Sequence, residues 1–398
     1  MRAAPTHRGR RFRTRRGLAT ALIAAGACAA GLLAGPAQAE GQRPDVRGDR
    51  ELRNALEELV RLPGGPPGAI AVLQRDRDVR VYRAGVADVE SGRPPRPGDH
   101  MRLASVSKAY SGAVALQLVD RGQLRLGDTI GKRLPWLPAA WHKVTLRHLL
   151  QHTSGLPDYT EDPVFQERFA SDPRREFDPH TLLDFVAGQP LLFPPGSRYR
   201  YDNSDNVAVA LMAEAATGLP YEELLRRLVY RPLGLRNTSL PRGHLLPQPY
   251  LHGYAVVPGQ RPEDVSTAFG VSALWASGGM VATPNDLNAF MRAYAGGRLL
   301  SKETRKQQTK WIPGSSVNPG PGRNEAGLAL FRYTTRCGAV LGHTGTMAGY
   351  SQLAAATPDG KRSMTFTLDT QVSQQATPEL LARMRAVQED FVCALLRR

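Results

Sequence analysis

Strand-like stretches lie at the two ends of this chain and helical pattern fills the space between. That order limits the folds open to it. "AIAVLQR" (69–75) and "VRVYRAGVAD" (79–88) read as two strands joined by a short charged turn. Strand pattern resumes only near the end, in "CGAVLGHTG" (337–345), "YSQLAAAT" (350–357) and "KRSMTFTLDT" (361–370). Helical spacing covers 51–61, with Leu52, Leu56 and Leu59 on one side, the run after Ser105 up to Gly122, and the final "PELLARMRAVQEDFVCALL" (378–396). Early and late strands therefore predict one shared antiparallel sheet flanked by helices. The middle, mostly helical and broken by Pro and Gly loops, is predicted to be an insertion. The expected class is α+β, with a discontinuous body over 40–122 and 300–398 and a helical domain over 123–299.

Residues 1–39 have a different character. Seven arginines and no acid precede Gly17, a small apolar run reaches Gly35, and "AQA" closes the segment at Ala39. This is the pattern of a secretory signal peptide, and "TRRGLAT" allows a twin-arginine route. Secretion is thus expected, with no stable membrane span after cleavage. The formal charge of +16 falls to +9 without those arginines. A positive surface suits an anionic polymer such as a cell wall, yet no zinc-finger spacing or basic-aromatic cluster points to nucleic acid. Two cysteines remain, Cys337 and Cys393, and an even pair in an oxidising compartment predicts one disulfide.

Three short motifs carry chemistry. "SVSK" places Ser105 and Lys108 three residues apart at a helix start, on one face and within reach of each other. A serine hydroxyl needs a neighbouring base, and lysine serves only when burial or positive potential lowers its pKa. The chain has 45 Arg and seven Lys, and this is its one S-x-x-K. Arginine cannot take the role of base, so a lysine kept here is informative. "YDNSDN" (201–206) holds two triplets, Tyr201-x-Asn203 and Ser204-Asp205-Asn206, each able to supply a base or an amide-binding side chain. "HTGT" (343–346) lies on a predicted strand, where Thr344 can bind a carboxylate and the Thr346 N–H can face that of Ser105 across an oxyanion.

Together, and in this order, the three motifs resemble the serine D-alanyl-D-alanine carboxypeptidase and AmpC-type β-lactamase family. The resemblance runs from about residue 45 to the C-terminus. It includes "LRHLLQHTSGLPDY" (146–159), "FPPGSRYRYDNSDN" (193–206), "PLGLRNTS" (232–239) and "ALWASGGMVATPNDL" (273–287). It implies a β-lactamase/transpeptidase-like fold, with Ser105 as nucleophile and Lys108 and Tyr201 as a joint base. Ser105 and Thr346 would form the oxyanion hole. Asn203, Trp275, His343, Thr344 and Thr346 would contact substrate. The flanks of "YDN" fit the tyrosine branch, which leaves Ser204 or Asp205 free to cap the following helix. The cysteine pair resembles the single disulfide of the secreted carboxypeptidases.

The expected activity is cleavage of the terminal D-Ala-D-Ala bond of peptidoglycan stem peptides by a monomer acylated by β-lactams, with no cofactor and no metal. His343 stands where the β-lactamase branch usually has lysine, which favours the carboxypeptidase side. An AmpC-like β-lactamase, an esterase or a D-aminopeptidase shares all three motifs. A binding module that has lost turnover is the alternative of a different class. His148 and His152, four apart, read as structure rather than a metal pair. Ser154 and Ser277 read as turn residues, because no G-x-S-x-G elbow is present.

Overall fold

In this computed structural model residues 46–397 are described, so the expected signal peptide lies outside the described residues. Helix α1 (Val46–Arg61) precedes strands β1 (Gly68–Arg75) and β2 (Asp78–Gly85). Helices α2 (Ser107–Asp120), α3 (Leu146–Leu150), α4 (Ser204–Thr217) and α5 (Pro284–Ala295) lie in the middle, among shorter turns. Six strands follow: β3 (Ile312–Pro313), β4 (Arg323–Ala326), β5 (Phe331–Thr335), β6 (Gly338–Met347), β7 (Tyr350–Ala356) and β8 (Arg362–Leu368). Helix α6 (Pro378–Leu396) closes the chain.

These eight strands form one sheet in the order β2-β1-β8-β7-β6-β5-β4-β3. The early hairpin pairs with the late strands through β1 and β8, antiparallel, with Val72 opposite Thr365. The expected sheet is therefore observed. It extends by three short strands, β3 to β5, of two, four and five residues. "HTLLDFVAG" also differs from expectation, forming 3-10 turns over Pro179–Val186 rather than an α-helix.

Two layers of side chains cover the sheet. Successive residues of a strand point to opposite faces. On β7, Leu353 and Ala355 share a core with Leu56 of α1, Phe366 of β8 and Phe391 of α6. Ala354 and Ala356 face the other layer, which holds α2, α4 and α5. Burial on both faces explains why β7 reads as a continuous apolar and small run. Helix α5 falls within the 123–299 segment and packs on β1, β7 and β8. Helix α2 is buried from Ser107 to Leu118, so it has no polar face to present to water.

Two loops are laced together in front of this core. The Gly196 N–H donates to the Thr153 carbonyl at 2.7 Å, the Arg200 N–H to His152 at 2.9 Å and the Leu192 N–H to Gly155 at 2.7 Å. Gly155 has φ of +78°, and a Cβ there would stand 2.3 Å from the Phe193 carbonyl oxygen. The "HTSGLPDY" and "FPPGSRYRYDN" segments thus form one unit. Cys337, in the turn just before β6, and Cys393 of α6 have Cα atoms 5.1 Å apart in the geometry of a disulfide.

Candidate active site

Ser105 sits half-buried in a 3-10 turn, Ala104–Val106, that leads directly into α2. Ala104 has φ of +48°, a strained value for a residue with a side chain. The turn holds Ser105 against β6, where the strand passes so close that a Cβ on Gly345 would lie 2.4 Å from the Leu103 carbonyl oxygen. Glycine at this position lets β6 run beside the nucleophile. The amides of a first helical turn have no intrahelical partner, so the Ser105 N–H can face an oxyanion.

Lys108 is fully buried. Its Nζ donates to Asn203 Oδ1 at 2.7 Å, to the Ser277 carbonyl at 2.8 Å and to Ser105 Oγ at 3.3 Å. It also stands 4.9 Å from the centre of the Tyr201 ring. Burial lowers the lysine to about 8, opposed by the carboxyls of Asp158, Asp202 and Asp205. A lysine near 8 has a substantial neutral fraction at physiological pH, which an exposed lysine lacks.

Tyr201 is pushed the other way. Burial raises its hydroxyl well above 10, and Ser105 is the neighbour that opposes the shift. Among the described residues this hydroxyl meets no partner at hydrogen-bond geometry. The ring lies 4.5 Å from that of His152 and 6.4 Å from that of His343. Both imidazoles are depressed to about 3, chiefly by burial, and are neutral at pH 7.

The expected substrate contacts fare unevenly. Asn203 acts here as a bracket. Its Oδ1 accepts from Lys108, and its Nδ2 donates to Asp158 at 3.0 Å and to Thr160 at 3.1 Å. His343 was expected to face a carboxylate, but its side chain is 0% exposed and packs on Phe331. Thr344 donates to the Asn318 carbonyl at 3.0 Å and Thr346 to that of Val372 at 3.0 Å, so both hydroxyls point into neighbouring loops. Thr346 stays half-buried beside Ser105's segment, which leaves its strand edge as the useful part.

Trp275 departs furthest from expectation. Its indole N–H goes to Glu222 at 3.2 Å, and its ring packs on Tyr221 and His180. These partners lie near the C-terminal end of α4, whereas Tyr201 and Asn203 precede its N-terminus. Fourteen residues of helix put the two ends roughly 20 Å apart. The indole therefore makes its contacts away from the Ser105 group, buried against Tyr221 and Glu222, and its backbone takes a left-handed φ of +37°.

The second triplet is structural in a way the sequence did not suggest. Neither Ser204 nor Asp205 caps α4. Asp202 accepts from the Asp205 N–H at 3.1 Å, while Ser204 Oγ donates to the Pro157 carbonyl and accepts the Tyr159 N–H. Asn206 reaches Ser111 of α2 at 2.7 Å. Asp205 Oδ2 lies 2.9 Å from His152 Nδ1. Burial raises Asp202 and Asp205 well above the usual carboxylate range. Sequence reasoning missed Asp158, which accepts both the Asn203 N–H and its amide, and the "LPDY" flank held the signal. His148 completes a capping box with Thr145, and no group of three or more metal-binding side chains occurs among the described residues.

A family model described as Beta-lactamase matches residues 52–389. The chain belongs to the beta-lactamase family. Among solved structures, a D-stereospecific amidohydrolase from Streptomyces sp. superposes with TM-score 0.73 and 30% identity, over 85% of this chain and 98% of that one. D-amino acid amidase from Ochrobactrum anthropi superposes with TM-score 0.77 over 87% and 98%, at 21% identity, and shares the fold. Among curated proteins, Esterase EstB of Burkholderia gladioli is 37% identical over 184 residues, 43% of this chain. Penicillin-binding protein 4* of Bacillus subtilis is 24% identical over 299 residues, 71% of this chain. The chain spans about half the length of these curated relatives, 46% of the esterase and 63% of the penicillin-binding protein.

Proposed function

We propose that this family member is a serine hydrolase that forms an acyl-enzyme on Ser105 and acts on an amide or ester next to a D-configured residue. The lysine and tyrosine take opposite roles, because their surroundings push their pKa values apart. Neutral Lys108 takes the Ser105 Oγ proton as Oγ attacks the acyl carbon. The N–H groups of Ser105 and Thr346 hold the oxyanion. The Tyr201 hydroxyl gives its proton to the leaving amine or alkoxide and regains one from Lys108. Water then repeats the sequence on the acyl-enzyme, with Ser105 as leaving group.

One observation carries the choice of substrate. The wall expected to grip a terminal carboxylate is neutral and already engaged: His343 is buried, and the Thr344 and Thr346 hydroxyls donate to backbone carbonyls. A leaving group without a carboxylate loses nothing there. The amidohydrolase and esterase relatives support this reading. The D-Ala-D-Ala carboxypeptidase reading, with peptidoglycan stem peptides and β-lactams as ligands, has one point in its favour: the Lys108 charge lies close enough to His343 to lower its pKa and could attract a carboxylate.

The test compares kcat/KM on a D-alanine anilide and on an N-acyl-D-Ala-D-Ala peptide. The anilide is expected to be faster, and a reversed order would restore the carboxypeptidase. Intact mass after benzylpenicillin supplies a second discriminant. A lasting adduct at Ser105 favours the carboxypeptidase, penicillin hydrolysed without an adduct favours a β-lactamase, and intact penicillin fits the amidase or esterase. We also propose export with loss of residues 1–39, which N-terminal sequencing of secreted protein would check.

A further inference from the structure

We propose that His152 and Asp205 act as one positioning unit for Tyr201, holding the phenol ring in line with Ser105 and Lys108. The inference rests on the proton-transfer role given to Tyr201 above. Three observations converge on it. The imidazole lies 4.5 Å from the Tyr201 ring, tilted by 39°, so it forms the surface against which that ring rests. Its Nδ1 is tied to Asp205 Oδ2 at 2.9 Å, with 4% and 0% of the two side chains exposed. Asp205 belongs to the first turn of α4, where its own N–H is fixed by Asp202, so the carboxyl is anchored to the helix that Asn203 precedes.

The arrangement has a reason. The Tyr201 hydroxyl makes no hydrogen bond of good geometry among the described residues, and Ser105 is the polar group beside it. Contacts on the ring therefore carry most of its orientation. Lys108 Nζ on the face and Phe331, 6.4 Å away, supply part of this, and His152 is the nearest ring. An imidazole free to turn about its own axis would be a poor support. The Asp205 hydrogen bond stops that rotation, as a carboxylate does for a catalytic histidine elsewhere. The pair is a support and does not touch the reacting atoms, so both are positioning residues. The Ser-Asp-Asn triplet thus contributes its middle residue, from the layer behind the tyrosine.

Misplacing a reacting group by about 1 Å can lower rate about 100-fold. His152→Ala and Asp205→Ala are each expected to lower kcat about 30-fold to 100-fold on the D-alanine anilide, with KM within about twofold. The double variant should lose no more than either single one, because the residues act as a unit. Asp205→Asn, which keeps a hydrogen-bonding group at Nδ1, should recover kcat to within about threefold of the parent. Rates are normalised to sites titrated with a serine-directed fluorophosphonate, so unfolded protein is not counted. Where His152→Ala does not fold, His152→Phe serves: it keeps a ring and removes the nitrogen, and should match Asp205→Ala.

Unchanged kcat in the His152 variants, or losses that multiply in the double variant, would overturn the inference. Tyr201→Phe is measured beside them. Full activity there sinks the underlying reading of Tyr201, whereas a large loss there with normal His152 variants sinks the positioning unit alone.

Discussion

The two ends of α4 offer contrasting polar sites. At its C-terminal end a cavity of about 590 Å³ is lined by Glu176, Asp178, His180, Glu214, Glu222 and Trp275. Its groups are paired: His180 lies 3.0 Å from Asp178 and 2.8 Å from Glu214, and the Trp275 indole is bound by Glu222. His180 ends raised in pKa because those two carboxylates outweigh its partial burial. At the N-terminal end the opposite holds. The histidines are neutral, burial raises the pKa of two carboxyls, and the Tyr201 hydroxyl and His343 Nε2 make no hydrogen bond of good geometry among the described residues. Charge and open volume thus mark a solvated hollow. Unpaired buried groups with displaced pKa values mark the place where protons can be moved.

Breaking the N-terminal end should have the largest effects. Ser105→Ala is expected to lower kcat by about 10⁴-fold or more while leaving the fold intact, checked by turnover and circular dichroism. If turnover persists, Ser105 is not the nucleophile; if parent and variant are both inactive yet bind peptidoglycan equally, the protein is a binding module. Lys108→Arg should cost about 10³-fold, since a guanidinium cannot give up its proton. In the parent, kcat/KM should rise with pH and level off above about 8, because Lys108 must be neutral and its pKa is lowered to about 8. A limb below about 6 would mean that another group is the base.

The cysteine pair lies apart from both ends of α4. Cys337 and Cys393 are separated by 56 residues. Replacing both with serine should cost about 4 kcal/mol by the loop-entropy model, read from urea midpoints. It should leave kcat per folded molecule unchanged. A loss of kcat would show that β6 needs this tether to hold its edge against Ser105.

Much of this was legible in the sequence, for reasons that differ by region. β1, β6, β7 and β8 are long and mostly buried, β2 alternates beside β1, and α6 follows its apolar spacing across all nineteen residues. Such patterns report burial directly. β3 and β4 escaped notice because short strands at a sheet edge bury few side chains, and β5 because its alternation spans only five residues. Ser105, Lys108 and Tyr201 lie together, as the motif order implied, because α2, the laced loops and β6 meet there. The roles of Asn203, His343 and Trp275 were less legible. Residue type says what a side chain can bind, but not which neighbour has already taken its hydrogen bonds. The His152–Asp205 contact joins positions 53 apart along the chain, a pairing that no local pattern encodes.

The smallest expected effect lies at the C-terminal end of α4 and tests the contrast most directly. Trp275→Phe removes an indole N–H whose partner, Glu222, is itself partly solvated, so water can replace the lost bond. Glu222→Gln keeps an acceptor for that indole. Both should leave kcat/KM within about twofold of the parent on small D-residue substrates, because neither residue touches the Ser105 group. One physical path could defeat this. Trp275 opens the short helix Trp275–Gly278, and the Ser277 carbonyl of that helix receives the Lys108 ammonium at 2.8 Å. If the indole contact holds this helix in place, weakening it would let the carbonyl withdraw and Lys108 would lose one of its three acceptors. A tenfold fall in kcat with a shifted pH limb would then show that the two ends work together. An unchanged limb would keep them separate and leave the acid-lined cavity outside the chemistry.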